Sequence, residues 1–77
     1  MKEAIENLVT RLVGDSESVE VSENSEGKTT IIDVRVAEDD MGRLIGRRGR
    51  TIRAIRSLLY YSGQKHRRKV VLNILED

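Results

Sequence analysis

Seventy-seven residues without a cysteine leave room for one small domain and exclude a disulfide framework or a cysteine-based metal site. Eight Val, seven Ile and seven Leu stand against two Tyr and no Phe or Trp, so the core must be aliphatic, with little space for an internal ligand cavity. The net charge of +1 hides a division: residues 1–40 carry four basic and eleven acidic groups, whereas residues 41–75 carry ten basic groups and no acid, which points to one surface that meets a polyanion.

The first residues, MKEAIENLVTRLVGDSE, contain acids throughout and lack the apolar stretch of a secretion signal. No apolar run approaches the ~18–20 residues of a transmembrane helix. A soluble, cytoplasmic chain with no membrane partner is therefore expected. Ile5, Leu8, Val9, Leu12 and Val13 follow the spacing of one helical face, and Gly14 supplies a stop. SVEVSE alternates apolar and polar residues, as a short strand does. NSEGK reads as a turn with positive φ at Gly27, followed by a second strand with Ile32, Val34 and Val36 on one face. The two strands form a hairpin.

AEDD offers acids to cap a short helix through Met41, Leu44 and Ile45. A further helix is expected from about Arg50 to Ser62, with Ile52, Ile55, Leu58 and Leu59 buried and Gly63 as its stop. Arg50, Arg53 and Ser57 fall on its polar side. GQKHRR is a basic loop, and KVVLNIL is a strand so apolar that it should be central or covered on both faces. The order αββααβ joins the second and last strands through two helices, which suits a parallel pair. An α+β fold follows: a three-stranded mixed sheet with three helices on one face, in one domain over 1–77.

Residues 41–51, MGRLIGRRGRT, place three glycines and four arginines in a chain with no proline. A Walker A loop fails because Arg47 stands five places after Gly42, where its second glycine is required, and the spacing of a dinucleotide fingerprint is absent. What remains is Gly46-Arg47-Arg48-Gly49 between two short helices, with Leu44 and Ile45 before it and Ile52 after it. That pattern resembles the K-homology (KH) family, whose I-G-x-x-G-x-x-I signature is met in full. The element order is similar to the family's type II arrangement, and the likeness spans nearly the whole chain. Size and order resemble the small bacterial single-KH proteins of the KhpA type.

The resemblance implies an RNA-binding protein in which the loop clamps about four single-stranded nucleotides. Gly46 and Gly49 would let a sugar-phosphate backbone approach, and Arg47 and Arg48 would pair with phosphates. Ile45 flanks the loop, Arg50 and Arg53 extend a basic strip, and Lys65, Arg67 and Arg68 make the second wall of the groove basic. Gly42 lies outside this frame and is read as allowing close packing. The groove is expected to hold almost no aromatic surface.

Adjacent Tyr60 and Tyr61 cannot both be buried on one helix face. Either one enters the core while the other reaches water, or they form a partner interface. Arg56 lies beside the buried face, with its stem over the core. Lone His66 has no neighbours for a metal or general-base role, and no nucleophile–base pair exists, so neither catalysis nor a cofactor is expected. The resemblance further implies self-association, pairing with a larger Jag/KhpB-type RNA-binding protein, and RNA chaperone or regulatory roles linked to cell-wall growth, cell shape and division. A protein-interaction module and a ribosome-assembly factor are the alternative readings.

Overall fold

Helical stripes and strand alternation meet in one layer of contact. The computed structural model describes residues 2–75, in the order α1 (Lys2–Leu12), β1 (Glu20–Glu26), β2 (Thr29–Arg35), α2 (Met41–Ile45), α3 (Arg50–Lys65) and β3 (Lys69–Leu75). Short 3₁₀ turns occupy 16–18, 38–40 and 47–49. The sheet runs β1-β2-β3, with β1 antiparallel and β3 parallel to the central β2. Thr30, Ile32, Val34 and Val36 are buried while Ile31, Asp33 and Arg35 between them are only half-buried. The helices therefore cover one face, with α1 against β1, α3 against β3, and α2 touching both helices.

The core joins Ile5, Val9 and Val13 to Ile32, Val34 and Val36, and then to Leu44, Ile52, Ile55, Leu59 and Leu72. Ile32 is fully enclosed, and cutting a side chain so placed back to Ala costs about 2–5 kcal/mol. This is the α+β arrangement that the sequence pattern implied.

Several local expectations change. β3 is an edge strand, not a central one. Its surplus apolar residues are explained instead by a cleft against α3, which Val70 and Val71 help to line. β1 continues through Asn24–Glu26, so the hairpin turn shrinks to Gly27 and Lys28. Gly27 has φ +59°, and positive φ at the first central residue matches the turn to the strand twist. Leu58 is not buried but 65% exposed, because it lies at the margin of the stripe formed by Ile52, Ile55 and Leu59.

Gly63 does not stop α3; it is buried within it. A Cβ there would lie 2.5 Å from the Arg68 carbonyl oxygen and 3.0 Å from Val70 Cγ2. The glycine thus lets the chain fold back tightly from helix to strand. The Arg68 amide donates to the Gly63 carbonyl (2.7 Å) and the Arg67 amide to Gln64 (3.1 Å). Paired bonds of this kind close a Schellman motif. Its left-handed position is Arg67, φ +57°.

The acids of AEDD do not cap α2 through their side chains. Asp40 instead turns back to the end of α1, where its carboxylate accepts from the Gly14 amide (2.9 Å) and the Asp15 amide (3.0 Å). It is buried, at 4% exposure, with Arg43 Nη1 at 3.5 Å. The two amide hydrogen bonds hold the Asp40 carboxyl below its usual 3.8; Arg43 assists and burial opposes them.

Two outcomes follow. Gly63→Ala gains helix propensity of about 1 kcal/mol, but overpacking costs about 1–3 kcal/mol. The expected net result is a Tm lower by several degrees, read by circular dichroism. A lowered native pKa at Asp40 gives stability that is complete above the unfolded value and is lost as pH falls through the native one. Asp40→Asn should lower Tm at neutral pH and flatten the acid limb of a Tm–pH curve below about 3.8.

Candidate nucleic-acid interface

α2 ends at Ile45, which is 36% exposed, and the chain reverses through the GRRG loop into α3. Gly46 has φ +79° and ψ 171°, a combination open essentially to glycine alone. A Cβ at this position would overlap the Thr51 side chain and lie 2.9 Å from the Thr51 amide nitrogen. The space vacated at Gly46 is therefore filled from within by Thr51. Gly49 differs: its nearest neighbours stand 3.7 Å and 3.8 Å away, and it is the left-handed φ of +73° that favours glycine. A Cβ added at Gly42 would meet nothing within 4 Å, so close packing does not account for that glycine.

Arg48 adopts a left-handed conformation, φ 55° and ψ 27°, at a cost of about 1–2 kcal/mol for an L-residue. Arg53 reaches back from the first turn of α3 to hold the turn in place. Its Nε donates to the Gly49 carbonyl at 3.3 Å, and its Nη2 donates to the Arg48 carbonyl. Arg53 is thus both part of the basic strip and a brace for the loop. Arg47, Arg48 and Arg50 are exposed. The loop leads directly into the sixteen-residue α3, whose N-terminal amides and dipole favour an anion.

Beyond Arg53 an open cleft runs between α3 and the free edge of β3. α3 supplies Arg53, Arg56, Ser57, Tyr60 and Tyr61, and β3 supplies residues 70–73. Arg56 Nη2 donates to the Leu72 carbonyl at 3.4 Å, so Arg56 borders the cleft instead of only covering the core. Neither tyrosine enters the core: Tyr60 is 58% and Tyr61 70% exposed. Both line the cleft, where little aromatic surface was expected. The spacing 53, 57, 60, 61 on one helical flank was the available signal.

A second, smaller cleft continues past Tyr60, bordered by Gln64, Arg67, Arg68, Lys69 and Val70. Arg67 and Arg68 are brought there by the Schellman turn, whereas Lys65 lines neither cleft. Arg68 Nε also donates to the buried Thr30 hydroxyl at 3.0 Å, which ties the basic loop to the central strand. The loop proper is only His66–Arg68, since residues 63–65 are helical. Among the described residues, no group of three His, Cys, Asp or Glu could hold a metal ion, and no helix is long and apolar enough to cross a membrane.

Strand order also separates the charges. Glu20, Glu23 and Glu26 stand exposed on β1 at one edge of the sheet, while the basic loop enters β3 at the other edge. These glutamates and the basic loop are therefore separated by the width of the sheet.

The sequence model of the KH domain of KhpA and KhpB matches residues 2–74. Proteins named RNA-binding protein KhpA are similar along nearly their full length. That of Halalkalibacterium halodurans is 40% identical, covering 99% of this chain and 100% of the relative. That of Borreliella burgdorferi is 43% identical, covering 96% and 90%, and that of Aquifex aeolicus is 38% identical, covering 99% and 96%. No solved structure gives a significant match. With signature, topology and whole-length similarity in agreement, the chain belongs to the KhpA/KhpB KH-domain family.

Proposed function

We propose that this chain acts as one KH unit that binds single-stranded RNA at the GRRG loop, without catalysis. The observation that carries the reading is the loop itself. Gly46, Arg48 and Gly49 all have positive φ, so the turn presents Arg47 and Arg48 outward at the N-terminus of α3. Guanidinium groups in that position suit bidentate contact with phosphates. Arg50, Arg53, Arg67 and Arg68 continue the positive surface, with Lys65 behind them. Ile45, 36% exposed, offers an apolar contact beside the loop. The names of the relatives support the same class of ligand.

The family likeness extends the reading to a cytoplasmic RNA chaperone or post-transcriptional regulator, connected with cell-wall growth and cell shape, that self-associates or pairs with a KhpB-type protein. One observation favours the protein-binding part of it. Leu58 is 65% exposed beside a groove between α1 and α3 that includes Ala4, Leu8, Ser62 and His66. That groove and the tyrosine cleft flank α3 on opposite sides, so one protein contact and one RNA contact are sterically compatible.

Arg47→Asp with Arg48→Asp should weaken single-stranded RNA binding roughly tenfold or more while the circular dichroism spectrum is retained; unchanged affinity would remove the clamp. The slope of log K against log salt should become shallower by about 0.7 for each phosphate that is no longer neutralised. Arg48→Gly separates binding from folding. It relieves a left-handed residue, so stability should hold or rise by up to about 1 kcal/mol, while RNA affinity falls.

A further inference from the structure

The chain's two aromatic residues are adjacent, exposed, and on the wall of one cleft. Their rings meet edge to face, with centroids 5.6 Å apart and planes at 74°. An edge-on contact leaves flat ring surface uncovered, and 58% of Tyr60 remains accessible. Folding gains little from rings left in water, and neither ring shields the core. Tyr60 also borders both clefts. It therefore stands between Arg53 and Arg56 on one side and Arg67, Arg68 and Lys69 on the other. Seven residues of helix separate Tyr60 from Arg53, roughly 10 Å, and Arg53 is bonded directly to the GRRG backbone. A strand gripped at that loop and running along α3 would reach Tyr60 next.

We propose that Tyr60 is a nucleobase-stacking platform, with Tyr61 holding its ring from the side, so that bases beyond the GRRG clamp are bound by an aromatic face. This inference rests on the single-stranded RNA reading above and adds a second, chemically distinct subsite to it. The occupant is a base and not an apolar protein segment, because cationic side chains border the ring on both sides. A phosphate on each side of the stacked base meets those charges. Stacking tolerates any base, so the subsite adds affinity for single strands without a strict sequence requirement.

The test uses the full chain and a single-stranded adenylate RNA of about eight nucleotides, alongside the same backbone with abasic sites. Tyr60→Ala and Tyr60→Leu should each weaken binding of the adenylate RNA about tenfold. Tyr60→Phe should bind as the parent does, and the abasic strand should bind all variants equally. The salt slope should not change in any Tyr60 variant, since the same phosphates stay neutralised. In a Tyr61→Phe background Tyr60 is the only tyrosine, and its emission should be quenched by the adenylate RNA but not by the abasic strand. Unchanged adenylate affinity in Tyr60→Ala and Tyr60→Leu would overturn the proposal, as would an equal loss on both strands. So would a change in sedimentation without a change in RNA affinity, which would assign the cleft to a second copy of the chain. Each of these results leaves the GRRG clamp standing. Failure of the RNA reading itself would show instead as unchanged binding in the Arg47/Arg48 double variant.

Discussion

The tight joint between α2 and α3 rests on an absent side chain. Because Gly46 has no Cβ, the Thr51 side chain and amide can occupy the space beside it, and five-residue α2 passes into α3 through a 3₁₀ turn of three residues. Any other residue would push Thr51 away and open the angle between the helices. The consequences reach both the core and the surface. Leu44 on α2 and Ile52 on α3 enter the same core cluster, while the intervening Arg47 and Arg48 are left at the tip. Arg53 then closes the loop from below by donating to two of its carbonyls.

Two further constraints work in the same direction. Asp40 joins the end of α1 to the start of α2 through the Gly14 and Asp15 amides, which fixes the short helix whose end carries the loop. Gly63 allows β3 to return against α3 at close range. The cleft between α3 and β3 is the outcome: a channel whose width is set by backbone approach at its far end and by the Arg56–Leu72 contact along its length. Two glycines and one buried carboxylate thus shape a surface on which they barely appear.

The charge division acquires meaning only in this frame. Acid-rich β1 and the basic loop before β3 lie at opposite edges of a three-stranded sheet, so these two groups of charges are held two strands apart. The α1–α3 groove around Leu58 lies on the opposite flank of α3 from the tyrosines, which leaves it free for a different kind of contact.

Local chemistry determined a good deal. Helical spacing in Ile5–Val13 and Ile52–Leu59, alternation in Ile32–Val36, and the IGRRGRTI signature are properties of neighbouring residues, so they were legible in the chain and yielded the element order, the sheet and the loop. What the sequence could not supply was which neighbour each element meets. KVVLNIL is apolar enough for a central strand, but the pairing of β2 with both other strands made it an edge. Gly63 has the look of a helix stop, yet its role depends on Arg68 and Val70 crossing above it. Asp40 resembles a helix cap until the end of α1 is brought beside it. Tyr60 and Tyr61 were visible as a pair, but their position on a cleft exists only once α3 lies against β3. Periodicity and turn chemistry are encoded within a few residues, whereas edges, buried partners and clefts arise from contacts between segments far apart in the chain, and tertiary packing alone decides them.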